Sequence, residues 1–474
     1  MVFSSIYFLL YFLPVFFLFY IASPDRWKNA IALLASIYFY CWGAPKFFFV
    51  VFGSLIIDFY LVRLAALSRG SLRSTILALN IALDVGILLV AKYLNFFVHN
   101  LNKITAVIGV DGIEMAAIVL PIGISFITFQ KISYVVDCYQ RVTPPLERFW
   151  DYVLYILLFP QLIAGPIVRY KEIAAQLVDR KANEGIDQKL NGLLRFVLGL
   201  SKKVLIANSL GIVVDEVFAL SAEQLSTGIA WLGIIAYSFQ IYFDFSGYSD
   251  MAIGLALMMG FRFPENFNFP YIAQSITEFW RRWHITLSNW MKDYLYIPLG
   301  GNRVSKRRMY INLWTVFLIS GLWHGAAWTF ILWGAFHGLF LIFDRLFLVS
   351  WMSRIGQVGR VLLTYVIVLV GWVLFRAADI GQALMYLTAM FGWKEAPNMI
   401  YLDLRFWVFF ALAALLSFAP LWERLANGAL KWYKVDGNSA LLLSIKVVLT
   451  LFLGIWCVAD IFSSSFNPFI YFRF

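Results

Sequence analysis

Long hydrophobic runs, separated by short polar stretches, dominate this sequence. A membrane helix needs about 20 apolar residues to cross the roughly 30 Å of bilayer hydrocarbon, and twelve runs reach or approach that length. They lie at 3–22, 29–44, 47–62, 75–98, 114–138, 191–214, 225–245, 310–326, 327–344, 358–375, 404–422 and 440–460. The pattern predicts an all-α, multi-pass membrane protein with about 11–12 spans.

One further apolar stretch does not fit a simple crossing. Residues 152–172 contain Pro160, Gly165 and Pro166, which interrupt helices. Basic loops flank the stretch on both sides, so we expect it to enter and leave the membrane on the cytoplasmic side. Broken backbone at membrane depth is tolerated only inside protein or along a cavity. The stretch therefore predicts a re-entrant element beside a cavity.

A second irregular region is expected at residues 244–308. It begins with carboxylates and a glycine among apolar residues, and its last apolar run is too short to span. The next stretch, 276–303, mixes tryptophans with charged residues, which predicts a helix in the membrane interface or along a funnel. Glu278 and Arg282 lie one helical turn apart there and predict a supporting ion pair.

Composition agrees with a bilayer environment. Hydrophobic residues make up 62% of the chain and charged residues 14%, compared with about 25% charged residues in ordinary soluble domains. No polar stretch is long enough for a second domain, so we expect one polytopic domain over residues 1–474. Cys41, Cys138 and Cys457 are far apart and form neither a disulfide framework nor a metal-binding spacing.

The net charge of +11 reflects loops between apolar runs. This distribution indicates membrane orientation and contact with anionic lipid, and not nucleic-acid binding. The acidic stretch 215–224 is expected outside. The run 3–22 lacks the features of a removed signal peptide and, because Arg26 and Lys28 follow it, predicts an external N-terminus. The richest basic loop, expected in the cytoplasm, contains Arg303, Lys306, Arg307 and Arg308.

His324 is the most informative of the four histidines. Its segment carries no other ionisable group from Ile311 to Phe336, and Gly321 and Gly325 flank it. Ionisable groups within the membrane are costly and by default indicate function, whereas small neighbours allow another helix or a ligand to approach. A structural histidine bonded to a neighbouring helix is the alternative.

The other three histidines carry weaker signals. His99 is expected to be interfacial. His284 is expected in the tryptophan-rich helix, facing Trp280 and Ser288 at i−4 and i+4, either as an interfacial residue or as part of a site. His337 is expected to be a buried histidine with a hydrogen-bond partner, and a second polar lining residue is the alternative.

A buried neutral histidine can accept a proton near neutral pH. If an acceptor hydroxyl attacks an activated acyl group, a positioned base accelerates the step by about 10²–10⁴-fold. No Gly-x-Ser-x-Gly motif provides a serine nucleophile, so direct transfer is simpler than a covalent acyl-enzyme. The rival from another functional class is a transporter or proton pathway built around the same histidines.

Two long stretches resemble the membrane-bound O-acyltransferase family. They are EFWRRWHITLSNWMKDYLYIPLGGNR, which contains His284, and SGLWHGAAWTFILWGAFHG, which contains His324. The segments MVFSS, PQLIAGPIVRY, FDFSGYSDMAIG and NPFIYFRF resemble the same bacterial polysaccharide branch, which includes the membrane subunit of alginate O-acetylation and the teichoic acid D-alanyltransferase. The resemblance implies a helical ring around a central tunnel, with His324 as the essential histidine and His284 as the second signature histidine.

The resemblance also implies the reaction. We expect an enzyme of the bacterial inner membrane that moves acetyl groups towards an extracytoplasmic polysaccharide, such as alginate or another exopolysaccharide. The donor would be acetyl-CoA or an acylated carrier, with no bound cofactor and no metal, and a periplasmic or secreted acetyltransferase is the expected partner. D-alanyl or lipid acylation is the alternative. Weaker candidates for lining the site are Asp244, Tyr248, Asp250 and Trp323.

Overall fold

A computed structural model describes residues 1–397, 400–421, 440–464 and 470. Every regular element within these residues is a helix, which confirms the all-α prediction. The chain divides into two compact units, and the expected single domain over residues 1–474 stays a prediction. Unit 1 comprises Met1–Val2, Tyr7–Asn183 and Phe261–Phe263, and unit 2 comprises Phe3–Ile6, Glu184–Gly260 and Pro264–Phe474.

Unit 1 contains eight α-helices within the described residues, joined by short π and 3₁₀ segments. The α-helices are α1 (Leu13–Ala22), α2 (Asp25–Gly43), α3 (Pro45–Leu67), α4 (Gly70–Leu88), α5 (Leu94–Val107), α6 (Ile124–Tyr139), α7 (Phe149–Leu157) and α8 (Tyr170–Val178). The π segments are Tyr7–Phe12 and Leu89–Tyr93, and the 3₁₀ turn is Lys181–Asn183.

Unit 2 contains the remaining α-helices of the described chain. They are α9 (Ile186–Ser201), α10 (Asn208–Ala219), α11 (Thr227–Met258), α12 (Ile276–Arg282), α13 (Ile285–Met291), α14 (Lys306–His324), α15 (Trp328–Phe343), α16 (Val349–Met352), α17 (Gln357–Arg376), α18 (Ile380–Phe391), α19 (Leu404–Phe418) and α20 (Ala440–Ser463). Its π segments are Lys202–Ala207, Lys292–Tyr296 and Asp344–Leu348, and its 3₁₀ turns are Pro270–Ile272 and Ala419–Leu421.

Eight helices in the described residues are long and apolar enough to cross a membrane. They are Pro45–Leu67, Gly70–Val107, Ile186–Ala219, Thr227–Met258, Trp328–Met352, Gln357–Arg376, Leu404–Leu421 and Leu441–Ser463. Each coincides with one of the twelve predicted runs. The other four runs form helices that are shorter (3–22 and 114–138) or begin with a charged turn (29–44 and 310–326). The chain is a multi-pass membrane protein.

The stretch 152–172 is broken as predicted, and its backbone is satisfied by side chains. Helix α7 ends at Leu157, and regular helix resumes only at Tyr170. The Phe159 N–H donates to Ser36 Oγ (3.1 Å), the Tyr155 hydroxyl donates to the Val168 carbonyl (3.0 Å), and Gln161 Nε2 donates to the Tyr155 carbonyl. Whether this segment is re-entrant stays a prediction.

The predicted irregularity at residues 244–258 is wrong. Helix α11 runs without a break from Thr227 to Met258. It tolerates buried carboxylates because α9 and the following π segment provide cations: Asp244 pairs with Lys203 (2.7 Å), and Asp250 pairs with Arg195 (2.9 Å) and Lys202 (2.6 Å).

Two reciprocal glycine pairs bring α9 and α11 together. A Cβ on Gly192 would lie 2.6 Å from the Gly254 carbonyl oxygen, and a Cβ on Gly254 would lie 2.5 Å from the Gly192 carbonyl oxygen. Gly199 and Gly247 have the same relation, at 2.5 and 2.7 Å. Small residues that allow close backbone approach are typical of helix pairs in membranes. The contact fixes α11, which in turn contributes residues to the site.

Candidate active site

A helical hairpin in unit 2 positions His324. This residue ends α14, and the chain turns through residues 325–327 before α15 begins at Trp328. Gly321 lies against the carbonyl of Phe330, and Gly325 lies beneath the Phe330 ring. The glycines that flank His324 therefore allow the returning helix to approach closely, as the sequence indicated.

Aromatic rings surround His324, which is 7% exposed. Its ring centroid is 4.9 Å from that of Trp323, 5.1 Å from Trp333 and 5.2 Å from Phe375. These rings come from α14, α15 and α17, so three helices define its orientation. A histidine in such surroundings is largely shielded from water.

His284 lies at a break and not within a continuous helix, so the expected i±4 facing of Trp280 and Ser288 is wrong. Helix α12 ends at Arg282 and α13 begins at Ile285, with His284 left-handed between them (φ 45°, ψ 54°). Left-handed backbone is uncommon for a residue other than glycine and clusters at functional sites. Ser288 spans the break, donating to the Trp280 carbonyl (2.9 Å).

The three tryptophans of the tryptophan-rich stretch are buried within unit 2. Trp280, Trp283 and Trp290 are 7%, 3% and 5% exposed. The predicted ion pair between Arg282 and Glu278 is present at 2.8 Å. Of the two sequence alternatives for this stretch, an interfacial helix and a site-lining helix, burial favours the second.

His284 is fully buried and has a fixed hydrogen bond. Its Nδ1 lies 3.0 Å from Oδ1 of Asn266, and the Phe245 ring contacts it edge-on with centroids 4.7 Å apart. Burial lowers the pKa of His284 to about 3, so this histidine is neutral at physiological pH. The Trp323 ring, which packs on His324, also lies 6.2 Å from the ring of His284.

His337 belongs to the same aromatic cluster. It is fully buried, and its ring centroid is 5.0 Å from those of both Trp280 and Trp333. The expected hydrogen-bond partner is not found among the described residues, for either ring nitrogen. Gly371 leaves the space that the His337 ring occupies, since a Cβ at residue 371 would lie 2.6 Å from His337 Nε2.

The cluster contains several polar atoms that have no partner within the described part of the chain. They are Nε2 of His284, both ring nitrogens of His337 and the indole nitrogens of Trp280 and Trp333. The large majority of buried side-chain polar atoms in proteins are hydrogen-bonded. These atoms are therefore able to hydrogen-bond to water or to a ligand.

A cavity of about 270 Å³ in unit 2 adjoins the cluster. Phe375 belongs both to the wall of this cavity and to the aromatic surroundings of His324. Gln240 and Arg376 also line the cavity; the Gln240 Oε1 atom is buried without a described partner, and Arg376 pairs with Asp215 at 2.7 Å. The cavity thus combines an apolar wall near His324 with hydrogen-bonding groups.

The structure brings together His324, His284 and Trp323, but it gives the other three candidates different surroundings. Asp244 and Asp250 form ion pairs with Lys203, Arg195 and Lys202. Asp244 also accepts a hydrogen bond from the Ile470 N–H (2.9 Å). Tyr248 stacks on Phe3 with ring centroids 4.5 Å apart. Their lining role stays a prediction, and these contacts favour a structural one.

Sequence reasoning did not identify Asn266, Phe245 or Phe375. Phe245 and Phe375 are ordinary positions of apolar helices, so nothing in the pattern distinguishes them. Asn266 lies in the irregular stretch PENFNFP, where a lone amide has no periodicity to mark it. Trp333 had a weak signal, since it shares the His324 motif.

Comparisons with known proteins identify the family of this chain. The profile of MBOAT, the membrane-bound O-acyltransferase family, matches residues 145–375, which include all three clustered histidines. The probable alginate O-acetylase AlgI of Pseudomonas aeruginosa is 46% identical, over 83% of this chain and 75% of its own length. The peptidoglycan O-acetyltransferase of Helicobacter pylori is 38% identical, over 83% and 80%. The teichoic acid D-alanyltransferase of Streptococcus thermophilus is 32% identical, over 50% and 59%.

Proposed function

The chain belongs to the membrane-bound O-acyltransferase family, and on that premise we propose that it transfers acetyl groups for the O-acetylation of an extracytoplasmic polysaccharide. The names of its relatives support an alginate-like or peptidoglycan-like acceptor. The observation that carries the assignment is the buried pair of histidines, His284 and His324, on either side of Trp323 and next to a cavity.

His324 is the proposed general base. The acceptor hydroxyl loses its proton to the imidazole while its oxygen attacks the acetyl carbonyl carbon. The new C–O ester bond forms, the C–S bond of a thioester donor breaks, and the histidine returns the proton to the leaving thiolate. No free alkoxide forms, and a base in this role contributes about 10²–10⁴-fold. The aromatic rings around His324 exclude the water that would otherwise hydrolyse the donor.

The cavity is the proposed approach for the acceptor. Its wall includes Phe375, which packs on His324, and Gln240 offers a buried carbonyl oxygen that suits a sugar hydroxyl. An acceptor that enters here places its hydroxyl near the His324 ring. Arg376, held by Asp215, lies in the same wall and adds donors for polar groups of a saccharide.

We propose that the acyl donor binds on the side of the protein opposite the acceptor cavity. Acetyl-CoA and acylated carriers are acidic, and exposed cations lie just before α14 (Arg303) and in its first turn (Lys306, Arg307 and Arg308). Cations at a helix N-terminus oppose the helix dipole, so this cluster is unfavourable for α14 itself. Attraction of an acidic donor or of anionic lipid is one proposed reason for it, and anchoring of a cytoplasmic loop is the alternative. The proposed location is the bacterial inner membrane, and the proposed partner is a secreted or periplasmic acetyltransferase that completes transfer to the polymer.

D-alanyl transfer is the second candidate, supported by the relative that carries that name. It matches about half of this chain, at 50%, whereas the O-acetylating relatives match 83%. Coverage therefore favours acetyl transfer. A transporter is the rival from another class, and it would move substrate without breaking an acyl bond.

The first prediction concerns polysaccharide esters. In cells that lack the gene and express the His324→Ala variant, we expect exopolysaccharide acetate to fall about 10²–10⁴-fold in initial rate. The measurement is ester acetate per sugar, with the amount of membrane-inserted protein determined in parallel. His99→Ala is the matched control, because His99 is exposed on α5 in unit 1.

Each result has one meaning. Loss of acetate in His324→Ala but not in His99→Ala supports the base assignment. Normal acetylation by well-inserted His324→Ala protein eliminates it. If deletion removes D-alanine esters but leaves acetate unchanged, acetyl transfer is the wrong reaction.

A further inference from the structure

Asn266 makes an unusual set of contacts with the loop that holds His284. Its Oδ1 atom accepts from the Thr286 hydroxyl (2.8 Å) and from the Thr286 backbone N–H (3.3 Å), and it lies 3.0 Å from His284 Nδ1. Its Nδ2 donates to Ser249 Oγ on α11 (3.0 Å). Its backbone carbonyl accepts from the Ile285 N–H (2.9 Å). Asn266 is 1% exposed.

These contacts determine the orientation of the amide. A backbone N–H can only donate, so the Asn266 atom that faces the Thr286 N–H must be the oxygen and not the nitrogen. The same oxygen faces His284 Nδ1. An oxygen acceptor requires a donor opposite it, and therefore Nδ1 of His284 carries the ring proton. In the neutral ring, Nε2 then has a free lone pair.

The environment of Nε2 completes the argument. This atom is buried and has no hydrogen-bond partner in the described chain. Asn266 also holds the left-handed backbone of His284 through the bond to Ile285. One residue, anchored on α11 by Ser249, thus sets the backbone, the ring orientation and the tautomer of this histidine.

We propose that Asn266 is a positioning residue that locks His284 as its Nδ1–H tautomer, so that Nε2 accepts a hydrogen bond from an O–H or N–H group of the substrate. This inference rests on the proposed function, because it assumes that His284 faces substrate. It excludes one role: a lone pair cannot polarise the acyl carbonyl oxygen, which needs a donor. His284 instead orients a hydrogen-bond donor other than the reacting hydroxyl, whose single proton passes to His324, and a neighbouring hydroxyl of the acceptor saccharide is such a donor.

The test uses ring-nitrogen NMR of the full-length protein. With only four histidines, uniformly ¹⁵N-histidine-labelled protein in nanodiscs gives a small set of signals, and His284→Gln assigns one pair. We expect the wild type to show a protonated Nδ1 and an unprotonated Nε2 at His284. Asn266→Leu, similar in size but without an acceptor, should lose this pattern and lower kcat about 10²-fold, with the KM for acetyl-CoA within about threefold.

Thr286→Val is the matched control. It removes one hydroxyl from the same oxygen but keeps the backbone N–H and Asn266, so we expect an unchanged tautomer and kcat within about threefold. A wild-type spectrum with the proton on Nε2 would overturn the inference, whether or not Asn266→Leu folds. So would an Asn266→Leu spectrum that keeps the wild-type pattern. Neither result alters the proposed function, which fails instead if His324→Ala acetylates normally.

Discussion

Asp250 shows how a buried charge in this protein is made tolerable by its neighbours. Its carboxylate pairs with Arg195 and Lys202, and Arg195 also contacts Glu265. The Asp250 side chain is 8% exposed, whereas that of Glu265 is 59% exposed. The two carboxylates therefore share one arginine but differ in solvation, which makes them a natural comparison.

Replacing each carboxylate by its amide should give very different results. We expect Asp250→Asn to lower the free energy of unfolding by about 3–5 kcal/mol, because it leaves the largely buried Lys202 without its counter-charge and Arg195 with only Glu265. Glu265→Gln should cost about 0–1 kcal/mol, as for exposed pairs. Equilibrium unfolding in mixed micelles measures both.

The same variants test the alternative role of Asp250. If Asp250 lines the site, as the sequence suggested, Asp250→Asn should lower the acetylation rate of the folded fraction while leaving stability near wild type. Equal stability of the two amide variants would contradict a stabilising role for the ion pairs of Asp250.

The close packing of helix α11 on helix α9 depends on glycines in both helices. Gly247 faces Gly199, and Gly254 faces Gly192, so the spacing of seven residues is the same on both helices. The helix also provides Phe245 and Ser249 to the surroundings of His284 and Asn266. A shift of α11 away from α9 would therefore move part of the site.

Gly247→Ala should separate these two helices. Its Cβ would lie 2.7 Å from the Gly199 carbonyl oxygen, and overpacking of this kind costs about 1–3 kcal/mol. Gly228→Ala is the control in the same helix, since nothing lies within 4 Å of its Cβ; it should be neutral or stabilising by up to about 1 kcal/mol. Thermal unfolding in detergent compares them. Similar melting of both variants would show that the close contact is unimportant.

At the scale of the whole molecule, charge predicts which side each loop occupies. The loop before α14 is basic, and the loop between α10 and α11 is acidic. The positive-inside rule assigns the first to the cytoplasm. In unit 2, the cavity wall includes Arg376, which pairs with Asp215 near the acidic loop. This arrangement predicts that the cavity opens to the outside.

Cysteine labelling measures this orientation. In a variant whose three cysteines are replaced by alanine, Glu223→Cys should react with a membrane-impermeant maleimide in intact spheroplasts, because Glu223 is exposed in the acidic loop. Arg307→Cys, also exposed, should react only after lysis. The reverse pattern would place the cavity on the cytoplasmic side and rule out its proposed use by an extracytoplasmic acceptor.

The sequence alone determined the class of the protein. Apolar runs specify membrane helices because backbone groups in hydrocarbon must bond within their own segment. His324 stood out since no other ionisable residue occurs near it, and Pro160 located the break after α7 because proline cannot continue a helix. The motifs around His284 and His324 identified the family.

Only the tertiary structure decided how charged and irregular residues are used. Asp244 and Asp250 seemed to interrupt a helix, yet α11 continues because Lys203, Arg195 and Lys202 neutralise them from elsewhere in the chain. His284 seemed to lie within a helix, yet it occupies a left-handed turn held by Asn266, 18 residues earlier. Periodicity reports local backbone preference, whereas the partner of a buried polar group is set by packing between distant segments.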